Sequence, residues 1–304
     1  MNALNLSMIR AFRAALEVFV ADAAIRSVAV LSTRAGAFCA GGDVRLIRQQ
    51  RLEGHHAQAD AFFEEEYSLN ARIAAFPKPY VAFVNGLCFG GGMGLSVHGA
   101  HRIAGPLAEF SMPETAIGFF PDIGASYFLN RLPGAIGCYL ALTGTRASPA
   151  DALYAGLATA VVDEPALGRI QAALADGAGP EEAVAPHRGG CGSSFLARHR
   201  EAVDRCFGQS SLDAIFRALE TESTDFASRA AASLRAASPT SLQITLDLLQ
   251  RTRTASLAKC LEIEYTLARE VTRGPDFSEG VRAMLVDKDR SPVWPASARL
   301  RREA

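Results

Sequence analysis

At 304 residues, 49 % hydrophobic and 21 % charged, the chain has room for about two domains of roughly 150 residues each, or one large α/β domain with an appendage. That composition excludes a disordered or collagen-like polymer, and a chain this long buries about three-quarters of its unfolded surface, so it needs no disulfide or metal to hold a core. The formal net charge of −1 removes the electrostatic footprint of a nucleic-acid binder.

The first element is a helix: Leu4, Met8, Phe12, Leu16 and Phe19 recur at helical spacing from Leu4 to Val20. No basic–apolar–small pattern of a signal peptide precedes it. Val28–Leu31 reads as a buried strand, closed by a turn around Gly36. Phe38–Asp43 reads as a glycine-containing loop leading into a helical run. Tyr80–Val84 is a second strand, entered through Pro77 and Pro79 and left through Gly86. Gly90-Gly91-Gly92 follows, with a helix opening near Met93, and then two shorter extended segments, Arg102–Ala104 and Glu109–Met112. The stretch Pro79–Ala100 is uncharged and long enough to span a bilayer, but its glycines, Asn85, Ser96 and His98 argue against a membrane helix.

Strands alternating with helices predict a mainly parallel sheet with crossover helices. Beyond about Ala147 the strand signal fades to one short run, Thr159–Val162. Gly177–Ser194 is loop-like, and Ser241–Leu249 and Leu257–Thr272 are predicted helices. The six cysteines, Cys39, Cys88, Cys138, Cys191, Cys206 and Cys260, are widely spaced without a C-x-x-C pair. They read as reduced thiols of a cytoplasmic protein.

Three known ligand loops fail on inspection. Gly86 and Gly91 have phosphate-loop spacing, but Gly92 stands where the lysine belongs. A dinucleotide fingerprint opening at Gly90 meets Leu95 instead of glycine, and Gly94-Leu95-Ser96-Val97 ends in His98 rather than the glycine of a nucleophile elbow. What remains is a strand, a run of glycines and a helix start, where backbone N–H groups can face an anion. Ala40-Gly41-Gly42-Asp43 has the same character. Two such loops can aim two backbone donors at one oxygen, although on spacing alone two tight turns are the commoner outcome.

Glu114, in Ser111-Met112-Pro113-Glu114, and Asp122, in Phe119-Phe120-Pro121-Asp122-Ile123-Gly124, are carboxyls in apolar, turn-rich settings. Desolvation there raises a pKa and suits acid–base work, whereas ordinary turn chemistry would explain Asp122 equally well. Glu66 closes the run Glu64-Glu65-Glu66, which by itself reads as a solvated helix face. His98 and His101 lack a third partner at metal-ligand spacing, so no metal is expected.

Taken together, Phe38-Cys39-Ala40-Gly41-Gly42-Asp43, Lys78-Pro79-Tyr80-Val81-Ala82 and Gly90-Gly91-Gly92 through Ser96 resemble the crotonase (enoyl-CoA hydratase/isomerase) superfamily. Met112-Pro113-Glu114, Phe120-Pro121-Asp122-Ile123-Gly124, Glu65-Glu66-Tyr67, Asp276–Ala283 and Asp287-Lys288-Asp289 narrow the resemblance to its branch of short 3-hydroxyacyl-CoA hydrolases, thioesterases of valine breakdown. The resemblance implies an α/β fold: a crotonase-like spiral of ββα turns over residues 1–190 and a helical C-terminal region over 191–304. Roughly one strand-and-turn unit of the family has no counterpart before Asn2. It also implies an oxyanion hole from the N–H groups of Gly42 and Gly91, catalytic carboxylates Glu114 and Asp122, and a substrate contact from Glu66. Gly94 stands where hydratases of the family carry a glutamate, and Asp122 where they usually show glycine. The implied substrate is an acyl-CoA thioester, with no cofactor beyond the coenzyme A it carries, no nucleic-acid or membrane partner, and room for a homo-oligomer. Two alternatives stay open at this point: an enoyl-CoA hydratase or isomerase, and a catalytically silent crotonase-like scaffold subunit.

Overall fold

The computed structural model of the chain describes residues 2–190 and 192–295. Cys191, one of the six thiols, and residues 296–304 lie outside them. The chain divides into two compact units, each assembled from three segments. The first comprises Met1–Gly42, Glu65–Ser111 and Arg146–Arg198, and the second Asp43–Glu64, Met112–Thr145 and His199–Ala304.

The first unit holds every named strand: β1 (Val28–Leu31), β2 (Gly36–Cys39), β3 (Tyr80–Val84), β4 (Gly86–Phe89), β5 (His101–Ala104), β6 (Glu109–Ser111) and β7 (Ala160–Val161). They form two sheets, β1-β3-β5-β7 and β2-β4-β6, and every pairing within them is parallel. Successive strands therefore alternate between sheets: β1 then β2, β3 then β4, β5 then β6. Each ββ step advances one strand in both sheets, which is the winding of the expected spiral. The register aligns Val28 with Tyr80 and Val81 with His101. All five residues of β3 are buried, as a central parallel strand covered on both faces requires. Val81, Phe83 and Ile103 pack with Leu167, Ile170 and Leu174 of the helix Glu164–Ala175.

Three elements depart from the sequence reading. Gly36 begins a strand instead of a turn, and Phe38 and Cys39 extend that strand rather than a loop; Gly86 likewise opens β4. Both strands have four residues and begin with glycine, which masks any propensity signal. Their pairing to each other supplies what propensity lacks, with Gly36 opposite Gly86 and Ala37 opposite Leu87. Within the loop-like Gly177–Ser194, a short helix spans Pro180–Val184, with proline at a first-turn position where its missing N–H costs nothing.

The second unit is helical. Its late helices Leu212–Glu222, Asp225–Ala236, Pro239–Arg251 and Leu257–Val271 are opened by Ser211, Thr224, Ser238 and Ser256. Each of these hydroxyls accepts the N–H three residues on, which satisfies a donor that the helix leaves orphaned. No helix among the described residues is long and apolar enough to cross a membrane.

Candidate active site

In the first unit the two glycine loops come together. Leu4 N–H donates to Gly41 O at 2.8 Å, and Leu4 bridges Gly42, so the start of the chain fixes the first loop. Gly90 opens the helix Gly91–Ser96 with φ 46° and ψ −119°, a conformation that glycine alone adopts without strain. Gly91 is the first residue of that helix, so its N–H has no acceptor within it. A Cβ built on Gly91 would stand 3.3 Å from Gly42 N and 2.5 Å from Glu66 Oε1. The two glycine amides and the Glu66 carboxyl thus share one small space, and a side chain at position 91 would intrude on it. Glu66 itself is 2 % exposed. Exposed Glu64 and partly exposed Glu65 carry the solvated face of the helix His56–Ala74, while Glu66 turns inward. Cys39, beside this space, is no competing nucleophile, since burial pushes its thiol up to about 11.

In the second unit Glu114 and Asp122 form a buried carboxyl pair. Glu114 begins a 3-10 turn, Glu114–Ile117, and the two residues are 6 % and 5 % exposed. Burial first, and then the charge of Asp122, holds the Glu114 carboxyl well above the ordinary carboxylate range. Its Oε2 is buried with no hydrogen-bond partner among the described residues. An aromatic cluster contributes to the apolar surroundings: Phe119 lies 5.7 Å from Phe63, 4.6 Å from Phe120 and 5.8 Å from Phe277, centroid to centroid.

The C-terminal motif frames this pair. The backbone of Asp276 and Phe277 closes on Gly118, and that of Ile117 on Gly280, so closely that neither glycine has room for a Cβ. The Ser238 hydroxyl donates to Asp276 Oδ2 at 2.6 Å, and its N–H donates to Thr115 O at 3.1 Å. Arg282 then ties Glu279, Asp287 and Asp289 into one ion cluster. Asp276, Phe277 and Gly280 therefore pack against the turn that carries Glu114, and Arg282 ties the following acidic residues to Glu279.

One further carboxylate was not singled out from the sequence. Glu264 is fully buried on the helix Leu257–Val271. It accepts the Gly124 N–H at 2.6 Å, the Ser126 N–H at 2.9 Å and the Ser126 O–H at 2.6 Å. A signal was present: Cys260, Glu264 and Ala268 are spaced by four, so an acidic residue interrupts an otherwise apolar stripe. An open cleft of about 520 Å³ elsewhere in the second unit, bordered by Leu129, Cys138, Asp204 and Arg253, holds none of these residues.

Residues 1–301 match the family described as enoyl-CoA hydratase/isomerase, and the chain belongs to that family. Within it, the chain is similar to the mitochondrial 3-hydroxyisobutyryl-CoA hydrolases of animals. It is 40 % identical to that of Xenopus tropicalis over 304 residues, covering 97 % of this chain and 79 % of the relative. It is 40 % identical to that of Homo sapiens over 308 residues, covering 97 % and 78 %. Among solved structures, an enoyl-CoA hydratase from Rhodobacter sphaeroides superposes with a TM-score of 0.89 at 39 % identity, covering 96 % of this chain and 86 % of that one. A carnitinyl-CoA dehydratase from Mycobacterium thermoresistibile superposes with a TM-score of 0.92 at 33 % identity, covering 97 % and 85 %.

Proposed function

We propose that the protein hydrolyses a short branched 3-hydroxyacyl-CoA thioester, 3-hydroxyisobutyryl-CoA before others, giving 3-hydroxyisobutyrate and coenzyme A in valine breakdown. The observation that carries this reading is the buried Glu114–Asp122 pair in a chain that has Gly94 where a hydratase needs its second glutamate. Two acid–base glutamates are required to add water across a double bond. Attack on a thioester carbonyl needs one strong base or nucleophile and one group to handle the leaving thiolate.

In this reading the N–H groups of Gly42 and Gly91 bind the carbonyl oxygen as it gains charge, a contribution of about 3–4 kcal/mol per donor in comparable sites. Glu114, with its raised proton affinity, takes a proton from the attacking water. A C–O bond forms, the C–S bond breaks, and the proton passes through the carboxyl pair to the departing thiolate sulfur. Asp122 orients the water or the acyl group and takes part in that transfer. Glu66 contacts the substrate near its 3-hydroxyl. Glu114 can alternatively attack the carbonyl itself, forming an anhydride that water then opens. A single turnover in ¹⁸O-water tests the anhydride route, because water that opens the anhydride at the glutamyl carbonyl leaves label in the protein, whereas direct attack of water on the thioester leaves none.

The thioester is already an activated acyl group, so the reading calls for no metal or redox cofactor. The described cysteines are free, which suits a reducing compartment, and we read the protein as cytoplasmic and compatible with a homo-oligomer. The hydratase and dehydratase names of the two superposed structures favour a second reading, hydration of an enoyl-CoA. Thiol release and crotonyl-CoA hydration, measured side by side on one preparation, decide between them. Thiol release with negligible hydration supports hydrolysis, and the reverse overturns it.

A further inference from the structure

We propose that Glu264 is a positioning residue for Asp122: its buried carboxyl gathers three hydrogen bonds from Gly124 and Ser126 and so fixes the left-handed turn that directly follows Asp122, the residue whose charge acts on Glu114. This rests on the hydrolase reading for its activity arm and on the geometry of the second unit alone for the rest.

The turn needs holding. Ile123, directly after Asp122, has φ 59°, and Gly124 has φ 80°. Two successive residues lie in the left-handed region, and the first is β-branched. For isoleucine this conformation is an outlier that persists only where the surroundings over-determine it. Part of that determination is the 0 % exposure of the Ile123 side chain in the core. The rest comes from the backbone of the next three residues, where Glu264 binds the N–H on each side of Ala125. Asn130 also holds the same short helix, Ala125–Phe128. Its amide donates to Ser126 O at 2.8 Å, Leu249 O at 2.9 Å and Thr252 Oγ1 at 3.2 Å.

A merely structural glutamate here would be a poor choice. Ionising a fully buried carboxyl carries a large desolvation cost, and no ion pair offsets it for Glu264 among the described residues. Glutamine of the same shape would present an NH₂ group to one of these donors, and an apolar residue would leave three donors unsatisfied. A carboxyl group, with two oxygens to take all three bonds, is what the turn requires. The charge of Asp122 adds to burial in opposing ionisation of Glu264. Glu264 therefore holds the segment just after the residue it serves, at a cost that core filling alone does not explain.

The test is Glu264→Gln in the full chain, with kcat and KM for 3-hydroxyisobutyryl-CoA, thermal melting, and a crystal structure of the turn. Misplacement of a reacting group by about 1 Å costs up to about a hundredfold, so kcat should fall by at least about tenfold with KM changed less than about twofold. Ile123 should leave the left-handed region or Asp122 should move away from Glu114. A wild-type kcat, or an unmoved turn, overturns the proposal. If Glu264→Gln does not fold, Ser126→Ala removes one of the three bonds at little change in volume. It should lower kcat about threefold with KM held, in line with the net worth of one ordinary hydrogen bond, and an unchanged kcat would overturn the proposal in its turn. If the unmutated protein releases no thiol from any 3-hydroxyacyl-CoA, the hydrolase reading fails, and the position of the Asp122 turn in Glu264→Gln alone decides the role of Glu264.

Discussion

Glu114 and Asp122 are buried within one unit, and the charge on either opposes ionisation of the other. This coupling makes a sign prediction. In the hydrolase reading Glu114 works as the carboxylate, so activity rises with pH through the titration of the pair. Asp122→Asn removes the opposing charge and should move the acidic limb of kcat/KM to lower pH, even as it lowers the plateau. A limb that stays in place would place the two carboxyls in separate environments. Glu114→Gln keeps shape and loses charge, and it should retain less than about a tenth of wild-type turnover while melting as the parent does. Gly91 makes a different prediction. Any Cβ there pushes into Glu66 Oε1 and the Gly42 amide, so Gly91→Ala should cost at least about a hundredfold in kcat/KM, the scale of one lost oxyanion donor, with a small change in urea midpoint. Comparable losses in both would mean that the loop is a tight turn and nothing more.

The elements differ in how openly the sequence declares them. β1 and β3 stand out because Val28-Ala29-Val30-Leu31 and Tyr80-Val81-Ala82-Phe83-Val84 are unbroken apolar runs bounded by turn residues. β2 and β4 do not, because each opens on a glycine, Gly36 or Gly86, and reads as a turn until the two strands pair. Glu66 is legible as a site residue through the family resemblance alone, since its neighbours Glu64 and Glu65 disguise it as surface. Glu264 is hidden in the opposite way, inside a helix whose periodicity is so clear that one acidic residue on the buried face passes unnoticed. Ser238 shows how an element end can support a site. Its hydroxyl caps the helix Pro239–Arg251 and also donates to buried Asp276, against the Glu114–Ile117 turn. Ser238→Ala should destabilise the protein by about 1–3 kcal/mol, combining a lost cap with an unsatisfied buried carboxylate, as urea denaturation would register. A change below about 0.5 kcal/mol would show that the cap and the Asp276 contact carry little, within the usual range for a neutral surface substitution.

Over the whole molecule, two populations of carboxyl groups set how stability varies with pH. Glu65, Glu279 and Asp289 are held below the ordinary range by arginines, Arg10 for the first and Arg282 for the other two. Their contribution is present above that range and is lost as pH falls through it. Glu114 and Glu264 lie on the other side. Burial raises both, Glu264 to about 8, so the folded protein keeps protons that the unfolded chain releases. Their contribution is complete below about pH 4.3, the ordinary glutamate value, and is lost as pH rises, for Glu264 toward 8. Melting temperature should therefore decline between pH 5 and 8, and Glu264→Gln should flatten that decline. A wild-type melting temperature that climbs over this window would contradict the burial of both groups.

The claim that joins these scales is that the protein is a hydrolase that reads a 3-hydroxyl, and free-thiol release from a panel of acyl-CoA esters tests it most directly. A buried site that hydrogen-bonds a hydroxyl leaves polar groups unpaired when the hydroxyl is missing, and such sites discriminate strongly. 3-Hydroxyisobutyryl-CoA and 3-hydroxypropionyl-CoA should be hydrolysed at least about tenfold faster than isobutyryl-CoA, a difference of roughly 1.4 kcal/mol, with crotonyl-CoA left unhydrated. Equal rates on hydroxylated and plain acyl chains, or hydration of crotonyl-CoA without thiol release, would contradict it.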